Sequence, residues 1–294
     1  MRRPRAFRAV DRLHGTPGDF AVAVCEACGS GVTTPLVTGD ELGPYYPSSY
    51  GPYDDPANPV VRLISRVIRH RQSRRTLATF PVAALGEADP GSGIDVGCGR
   101  GDLAAALIGA HWRMAGIEPS PEAAANARAR GVDVQVGTLA DCPLEPSAYD
   151  AAVFQHSLEH TVEPLADLQR IHTALRPGGL VAITVPNFGN WQARRLRSRW
   201  YHLDVPRHRA HFTRAGLLAL LERAGFELPV LQTSTSTVGL PATVQYRVAG
   251  RCLFPDGLPL RVATGLCILT RPVAVALDGI GGGGDQLHAV AKRP

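Results

Sequence analysis

Between Ile94 and Leu107 the chain reads Ile-Asp-Val-Gly-Cys-Gly-Arg-Gly-Asp-Leu-Ala-Ala-Ala-Leu. A short apolar run carrying one carboxylate, Asp95, breaks into glycines at 97, 99 and 101, then resumes as an Ala- and Leu-rich segment of high helix propensity. The pattern predicts strand, tight turn, helix. Glycine belongs where a backbone takes unusual dihedrals or where a ligand lies against the main chain, because a Cβ there would collide. The helix opening near Asp102 aims unpaired N–H groups and its positive dipole end into the same space, so the stretch is built as a ligand cradle. The dinucleotide fingerprint G-x-G-x-x-G would put its third glycine where this chain has Asp102, and a carboxylate at the mouth of the turn repels a pyrophosphate. A second strand, Trp112 to Ile117, ends at Glu118, placed to accept hydrogen bonds from both hydroxyls of a ribose. A nucleoside without a pyrophosphate fits these features.

The same alternation continues downstream. Pro121 to Arg130 reads as an Ala-rich helix closed by Gly131, and Val132 to Val136 as a third strand followed by Gly137-Thr138-Leu139-Ala140-Asp141. Tyr149 to Phe154 is a buried fourth strand that ends in Gln155-His156-Ser157-Leu158-Glu159-His160. A helix from Pro164 to Leu175 leads through Arg176-Pro177-Gly178-Gly179, read as a turn, into a fifth strand, Leu180 to Val185, and then Pro186-Asn187. Strands and helices at this spacing predict an α/β fold with a doubly wound, mainly parallel, seven-stranded Rossmann-like sheet whose ligands lie at the carboxyl ends of the strands. A helix from Arg214 to Ala224, a sixth strand from Phe226 and a last strand near Leu287 to Ala291 complete the pattern.

In these motifs the chain resembles the class I S-adenosylmethionine-dependent methyltransferases, strongly over about residues 80 to 235. The resemblance implies that S-adenosyl-L-methionine is the cofactor and S-adenosyl-L-homocysteine the product. It implies cofactor contacts from Asp95, Gly97, Gly99, Gly101, Glu118 and Gln155. Thr138 and Leu139 stand where relatives contact the adenine, with Asp141 available in place of an absent carboxylate. In this fold, insertions at about 188–212 and 238–280 lie over the methyl end and form the acceptor pocket. The fourth-strand motif is similar to that of the ubiquinone-biosynthesis O-methyltransferases, where an acidic residue plus a Glu-His pair is associated with a divalent metal; His156 replaces that acidic residue here. His202-Leu-Asp204-Val-Pro-Arg207-His208, followed by His211-Phe212-Thr213, resembles a segment of secondary-metabolic methyltransferases.

His156, Glu159 and His160 stand at i, i+3 and i+4, a spacing that puts them on one face of a helical turn, where three roles are open: base and orienter, ligands of a divalent metal, or structural hydrogen bonds from Glu159 and His160 to the following loop. His208 and His211 are further candidates to assist deprotonation, and Arg207 either clamps an anionic acceptor or braces the lid. Thr213 reads as a helix N-cap. The catalytic candidates are therefore His156, Glu159, His160 and His208, with metal use left open.

Residues 1–54 differ from the rest, rich in Gly, Pro and Tyr, and are expected to form a ribbon-like appendage to a methyltransferase domain spanning 55–294. Phe20 to Val24 is a strand leading into Cys25-Glu-Ala-Cys28-Gly29, the knuckle of a zinc ribbon, but no second C-x-x-C completes four ligands. Apolar residues at helical spacing from about Pro59 to Leu85, opposite a row of arginines, predict a basic amphipathic helix able to touch a membrane surface. Of six cysteines only Cys25 and Cys28 are close and the other four are scattered, which is not a disulfide framework, and no signal core or transmembrane stretch is read, so a cytoplasmic setting is expected. Lys292 is the one lysine among 31 basic residues, and arginine bias of this kind says little about partners.

The expected function is O-methylation of a small, phenolic or glycosylated metabolite. Methylation of carbon or nitrogen in a sugar or lipid precursor is the alternative, as is a cofactor-binding regulatory or partner-binding module without catalysis. Nucleic acid is disfavoured as an acceptor, since Gln155-His156-Ser157-Leu158 stands where the family's nucleic-acid amino-methyltransferases carry N-P-P-Y or D-P-P-Y.

Overall fold

The computed structural model describes residues 5–46, 67, 71, 74–87, 90–251, 260–281 and 283–294. Its centre is a sheet of seven strands: β4 (Ser92–Val96), β5 (Arg113–Glu118), β6 (Asp133–Val136), β7 (Tyr149–Gln155), β8 (Leu175–Pro186), β10 (Glu227–Ser234) and β11 (Gln286–Lys292), in the order β10-β11-β8-β7-β4-β5-β6. β11 runs antiparallel to both neighbours and the remaining pairs are parallel. The chain winds from β4 outward through β5 to β6, then returns to the other side of β4 with β7. That reversal opens a crevice at the carboxyl ends of β4 and β7, the place where an open α/β sheet binds ligands.

Both faces are covered, as parallel strands require. On one face Leu103, Ala104 and Leu107 of helix α1 (Asp102–Ile108) pack with Ala124 and Ala127 of helix α2 (Pro121–Arg128) against Met114, Val134 and Val153. On the other, Leu168 and Ile171 of α3 (Pro164–Ala174) and Leu217 and Leu221 of α5 (Arg214–Arg223) close over Ile94, Phe154 and Ile183. In the chain α4 (Trp191–Leu196) comes between α3 and α5, and its Ala193 packs with the N-terminal segment.

Several expectations shift in detail. Arg176-Pro177-Gly178-Gly179 is not a turn between helix and strand but part of β8, where Gly178 has φ +84 and the register to β7 slips between Tyr149 and Ala151. A bulge absorbs the extra residues instead. The two apolar stretches after β10 form α6 (Gly239–Ala249) and one long α7 (Leu260–Ile280), which tolerates Pro272. The expected basic helix near 59–85 lies mostly outside the described residues; residues 74–77 are helical, and Val82 and Leu85 are buried in the sheet's first core.

The N-terminal segment forms β1 (Arg5–Ala9), β2 (Phe20–Val24) and β3 (Gly31–Thr34), an antiparallel meander whose outer edge pairs with β9 (Ala210–His211). One strand thus comes from the region expected to cover the acceptor. Ala9, Phe20 and Val22 share a buried cluster with Phe188, Trp200, Leu203 and Val205 of that same region.

Candidate active site

The glycine turn leaves β4 in a conformation that side chains oppose. Gly97 has φ +72, and a Cβ there would stand 2.6 Å from Cβ of Ser157; Gly101 has φ +77, with Cβ of Ala127 at 2.9 Å. The N–H groups of Gly97 and Cys98 donate to the carbonyl of Ile117 at 2.8 and 3.1 Å, which locks the turn onto β5. Glu118 at the end of β5 is buried; its Oε2 accepts from the Gly99 N–H at 2.8 Å and its Oε1 from the Ser120 N–H at 2.9 Å. Burial pushes this carboxyl above its usual range, against the pull of those two N–H groups. Each oxygen keeps a lone pair for a further donor, such as a ribose hydroxyl.

Asp95 is buried and its Oδ1 meets no donor; burial, reinforced by the charge of Glu118, lifts it to about 7. Oε1 of Gln155, across the crevice at the end of β7, is likewise buried without a donor. A buried acceptor with nothing to accept is costly, and two facing one crevice suit a ligand that carries its own donors. S-adenosylmethionine has them, in an ammonium and two ribose hydroxyls, so the residues present fit this cofactor.

The turn after β6 is less open than its sequence implies. Oδ2 of Asp141 accepts from both the N–H and the hydroxyl of Thr138, at 3.0 and 2.7 Å, so this carboxylate caps its own turn. Leu139 is buried beneath it.

Beyond Gln155 the backbone turns sharply: His156 has φ +56, and Leu158–His160 is a 3-10 turn. His156, Glu159 and His160 therefore do not share one helical face as their spacing suggests. Glu159 points inward, fully buried, between imidazoles on two sides. Nδ1 of His156 lies 3.4 Å from its Oε1 and Nε2 of His208 lies 3.9 Å from the same atom, yet neither oxygen receives a hydrogen bond of good geometry. Burial pushes this carboxyl up, but His156, His208 and His160 outweigh it and hold it down at about 2.

Tautomers follow from the surrounding bonds. Nδ1 of His160 lies 3.1 Å from the carbonyl of Arg207, and Nδ1 of His208 lies 2.9 Å from the carbonyl of His202. Each Nδ1 thereby turns its proton to a carbonyl, and in a neutral ring so held Nε2 is the acceptor. Burial and the neighbouring His208 push His160 down to about 4, keeping it neutral. Glu159, His160 and His208 each bring one ligand atom within 4.8 Å of the others, and they form the one such group of His, Cys, Asp and Glu among the described residues. Cys25 and Cys28 gather no third ligand there.

Arg207 does not reach an acceptor. Its guanidinium is 0% exposed, and all five N–H donors are taken. Nη1 and Nη2 bond the two oxygens of Asp11 at 3.1 and 2.7 Å, Nε and Nη2 bond Asp204 Oδ1 at 3.0 and 2.6 Å, and Nη1 also meets the Tyr45 carbonyl at 2.8 Å. It braces the lid instead of clamping substrate. His211 is equally committed: buried on β9, its Nε2 lies 2.9 Å from the hydroxyl of Thr33, and burial pushes it down to about 3. Thr213 does cap α5, accepting from the Gly216 N–H at 3.1 Å, while its hydroxyl donates to the Cys28 carbonyl at 2.6 Å and so ties the knuckle to that helix.

Sequence reasoning missed Asp11, Tyr46 and Gln286. The Tyr46 hydroxyl lies 3.1 Å from Nδ1 of His160, and the Gln286 amide nitrogen lies 3.2 Å from Nε2 of His156. Nothing local marks these residues; each is brought in by a pairing more than a hundred positions long.

Residues 68–230, over half of the chain, match the methyltransferase domain family. A ubiquinone/menaquinone biosynthesis C-methyltransferase of Rubrivivax gelatinosus is 29% identical over 157 residues, 46% of this chain and 62% of that protein. A ubiquinone biosynthesis O-methyltransferase of Xanthomonas campestris is 32% identical over 101 residues, 32% of this chain and 42% of that protein. The chain thus spans about half the length of the curated relatives it matches. Among solved structures, the geranyl diphosphate C-methyltransferase of Streptomyces coelicolor, in complex with Mg2+, geranyl diphosphate and S-adenosyl-L-homocysteine, superposes with a TM-score of 0.51 at 17% identity, covering 82% of this chain and 87% of that one. With its strand order, its glycine turn and this match, the chain belongs to the methyltransferase domain family, in the class I S-adenosylmethionine-dependent fold.

Proposed function

We propose that the protein transfers a methyl group from S-adenosylmethionine to an oxygen of a small metabolite, with His156 as the base that removes the acceptor's proton. The observation that carries this reading is buried Glu159 beside Nδ1 of His156 at 3.4 Å. A carboxylate there holds Nδ1 protonated and turns Nε2 into the basic nitrogen, the relation of base to orienter found wherever an imidazole must take a proton. When bound, the cofactor supplies a methyl group on a sulfonium, activated for in-line displacement. Gly97 to Gly101 would lie under its methionine portion, Glu118 would hold the ribose, Asp95 and Gln155 would accept from its donors, and Thr138 and Leu139 would flank the adenine. Gln286, 3.2 Å from Nε2 of His156, keeps that nitrogen oriented until a hydroxyl takes its place. Glu159 is a positioning residue whose charge also stabilises the imidazolium that forms. The relatives carry both O- and C-methyltransferase names; a base so arranged favours an acceptor that must lose a proton.

A second reading rests on a separate observation. Glu159, His160 and His208 each bring one ligand atom within 4.8 Å of the others, and both histidines set Nδ1 against a backbone carbonyl, as metal ligands commonly do. These three residues would hold a divalent cation and polarise the acceptor oxygen.

Initial rates and cofactor binding separate the readings. His156→Ala should lower turnover about a hundredfold or more with S-adenosylhomocysteine binding intact. Wild-type activity in that variant sinks the base. Full turnover after chelation sinks the cation.

A further inference from the structure

Helix α7 is inside out. Its inward line is Cys267, Ala274 and Asp278, and the carboxylate of Asp278 is buried, accepting from Asn190 Nδ2 at 3.0 Å, Trp191 Nε1 at 2.8 Å and the Thr235 hydroxyl at 2.7 Å. Its outward line is Leu269, Val273, Leu277 and Ile280, with Leu269 78% and Ile280 87% exposed. These recur at i, i+4, i+8 and i+11 and so form one stripe along the helix. On the adjoining α6, Val244 and Val248 are also turned outward, Val248 at 82% exposure. A surface helix in water normally shows the reverse arrangement, with its charge outside and its aliphatics within. An apolar patch of this extent marks an interaction surface.

Charge identifies what it meets. Among the described residues of 238–281 the exposed charged side chains are Arg247, Arg251 and Arg271, and the one acidic residue there, Asp278, faces inward. Arg271 stands about 200° around the helix from both Leu269 and Val273, so the arginines flanking this face are Arg247 and Arg251 at the end of α6, beside Val248, and a second copy would bring no acidic side chain of this segment to meet them. An anionic lipid surface complements it, since aliphatic side chains enter the acyl boundary while guanidinium groups remain among the headgroups.

We infer that α6 and the outer face of α7 form a peripheral membrane-docking surface for anionic bilayers. Asp278 ties this surface to Asn190 and Trp191 of the segment after β8, so docking would be felt at the region covering the crevice. The inference does not depend on the acceptor chemistry proposed above.

Co-sedimentation of the full chain with vesicles tests it. One set is phosphatidylcholine alone and the other contains equal parts of phosphatidylcholine and phosphatidylglycerol. The protein should partition to the anionic vesicles and release in high salt. The double variant Leu269→Asp, Ile280→Asp should lose at least about tenfold in partitioning, and Arg247→Glu, Arg251→Glu about fivefold or more per arginine. S-adenosylhomocysteine binding, unchanged in both, verifies that each variant is folded. No partitioning of the wild type, or undiminished partitioning of the aspartate variant, overturns the inference. So does sedimentation velocity showing a dimer that the aspartate variant abolishes, in a protein that ignores vesicles; the face then belongs to a second copy.

Discussion

Replacing Arg207 by methionine removes the guanidinium that neutralises Asp11 and Asp204 while keeping most of the side chain's volume. Asp11 stays fully buried and the Asp204 side chain is only 11% exposed, so both carboxylates lose their partner with little or no water to replace it. Breaking a buried pair from one side costs about 3–5 kcal/mol, chiefly because the abandoned charge stays desolvated. At about 2 °C per kcal/mol for a chain of this size, the melting temperature should fall by roughly 6–10 °C. Acid should narrow the gap. Burial favours the neutral form of Asp204, but Arg207 outweighs it and holds this carboxyl below its usual range. A depressed carboxyl contributes stability that is present above the unfolded value, near 4, and is lost as pH falls through the lower folded value. In the variant only His208 and His160 are left to oppose burial, so Asp204 takes up a proton at higher pH than in the wild type, and the deficit shrinks as pH is lowered through that range. Urea unfolding at several pH values measures this. The triple variant Asp11→Asn, Asp204→Asn, Arg207→Met should regain most of the loss, since no unpaired charge is left. A cost under about 1 kcal/mol for Arg207→Met, as for an exposed pair, or no recovery in the triple variant, refutes the reasoning.

Three further outcomes are expected. Saturating S-adenosylhomocysteine at about a hundred times its dissociation constant should stabilise the wild type by roughly 2.7 kcal/mol, and Glu118→Ala should abolish most of that gain in a thermal-shift titration. Burial and the charge of Glu118 lift Asp95 to about 7, and if this side chain accepts from the cofactor's ammonium its ionised form does so far more strongly. Affinity should therefore weaken about tenfold per pH unit below 7 and level off above it, with Asp95→Asn flat across the range; a wild-type affinity independent of pH would sink the assignment. Glu159→Gln should lower kcat about a hundredfold or more with little change in cofactor affinity, and it should move the pH profile of kcat, a response that a merely structural residue would not give.

The sheet was legible because its evidence is local. Each strand is marked by an apolar run and a glycine or turn stop within its own short stretch, with Asp95 and Glu118 at two of the strand ends, so strand count, the doubly wound architecture and the cofactor edge follow from one pass along the chain. The lid was not legible for the opposite reason. His202 to Phe212 has no period, and its side chains are assigned by partners far away: Asp11 for Arg207, Thr33 for His211, Asp285 for His202 at 3.2 Å. The segment's histidines look alike in sequence, yet one faces Glu159 and another is spent inside a sheet. Even the spacing of His156, Glu159 and His160 misleads, because it assumes a helix where φ +56 at His156 starts a different turn.

The sheet shared between β1–β3 and β9 also dictates an order of assembly. Gly31 pairs with His211 and Val32 with Ala210, so the outer edge of β3 waits through the synthesis of nearly 180 residues before its partner exists. During that interval the meander presents an open edge carrying an apolar valine, the kind of surface on which nascent chains associate with one another. Closing it sets β9 and, through the neighbouring turn, His208 beside Glu159. The last strand to join the small sheet is thus the one that brings His208 to Glu159, and folding of the N-terminal segment and formation of the histidine cluster become a single event.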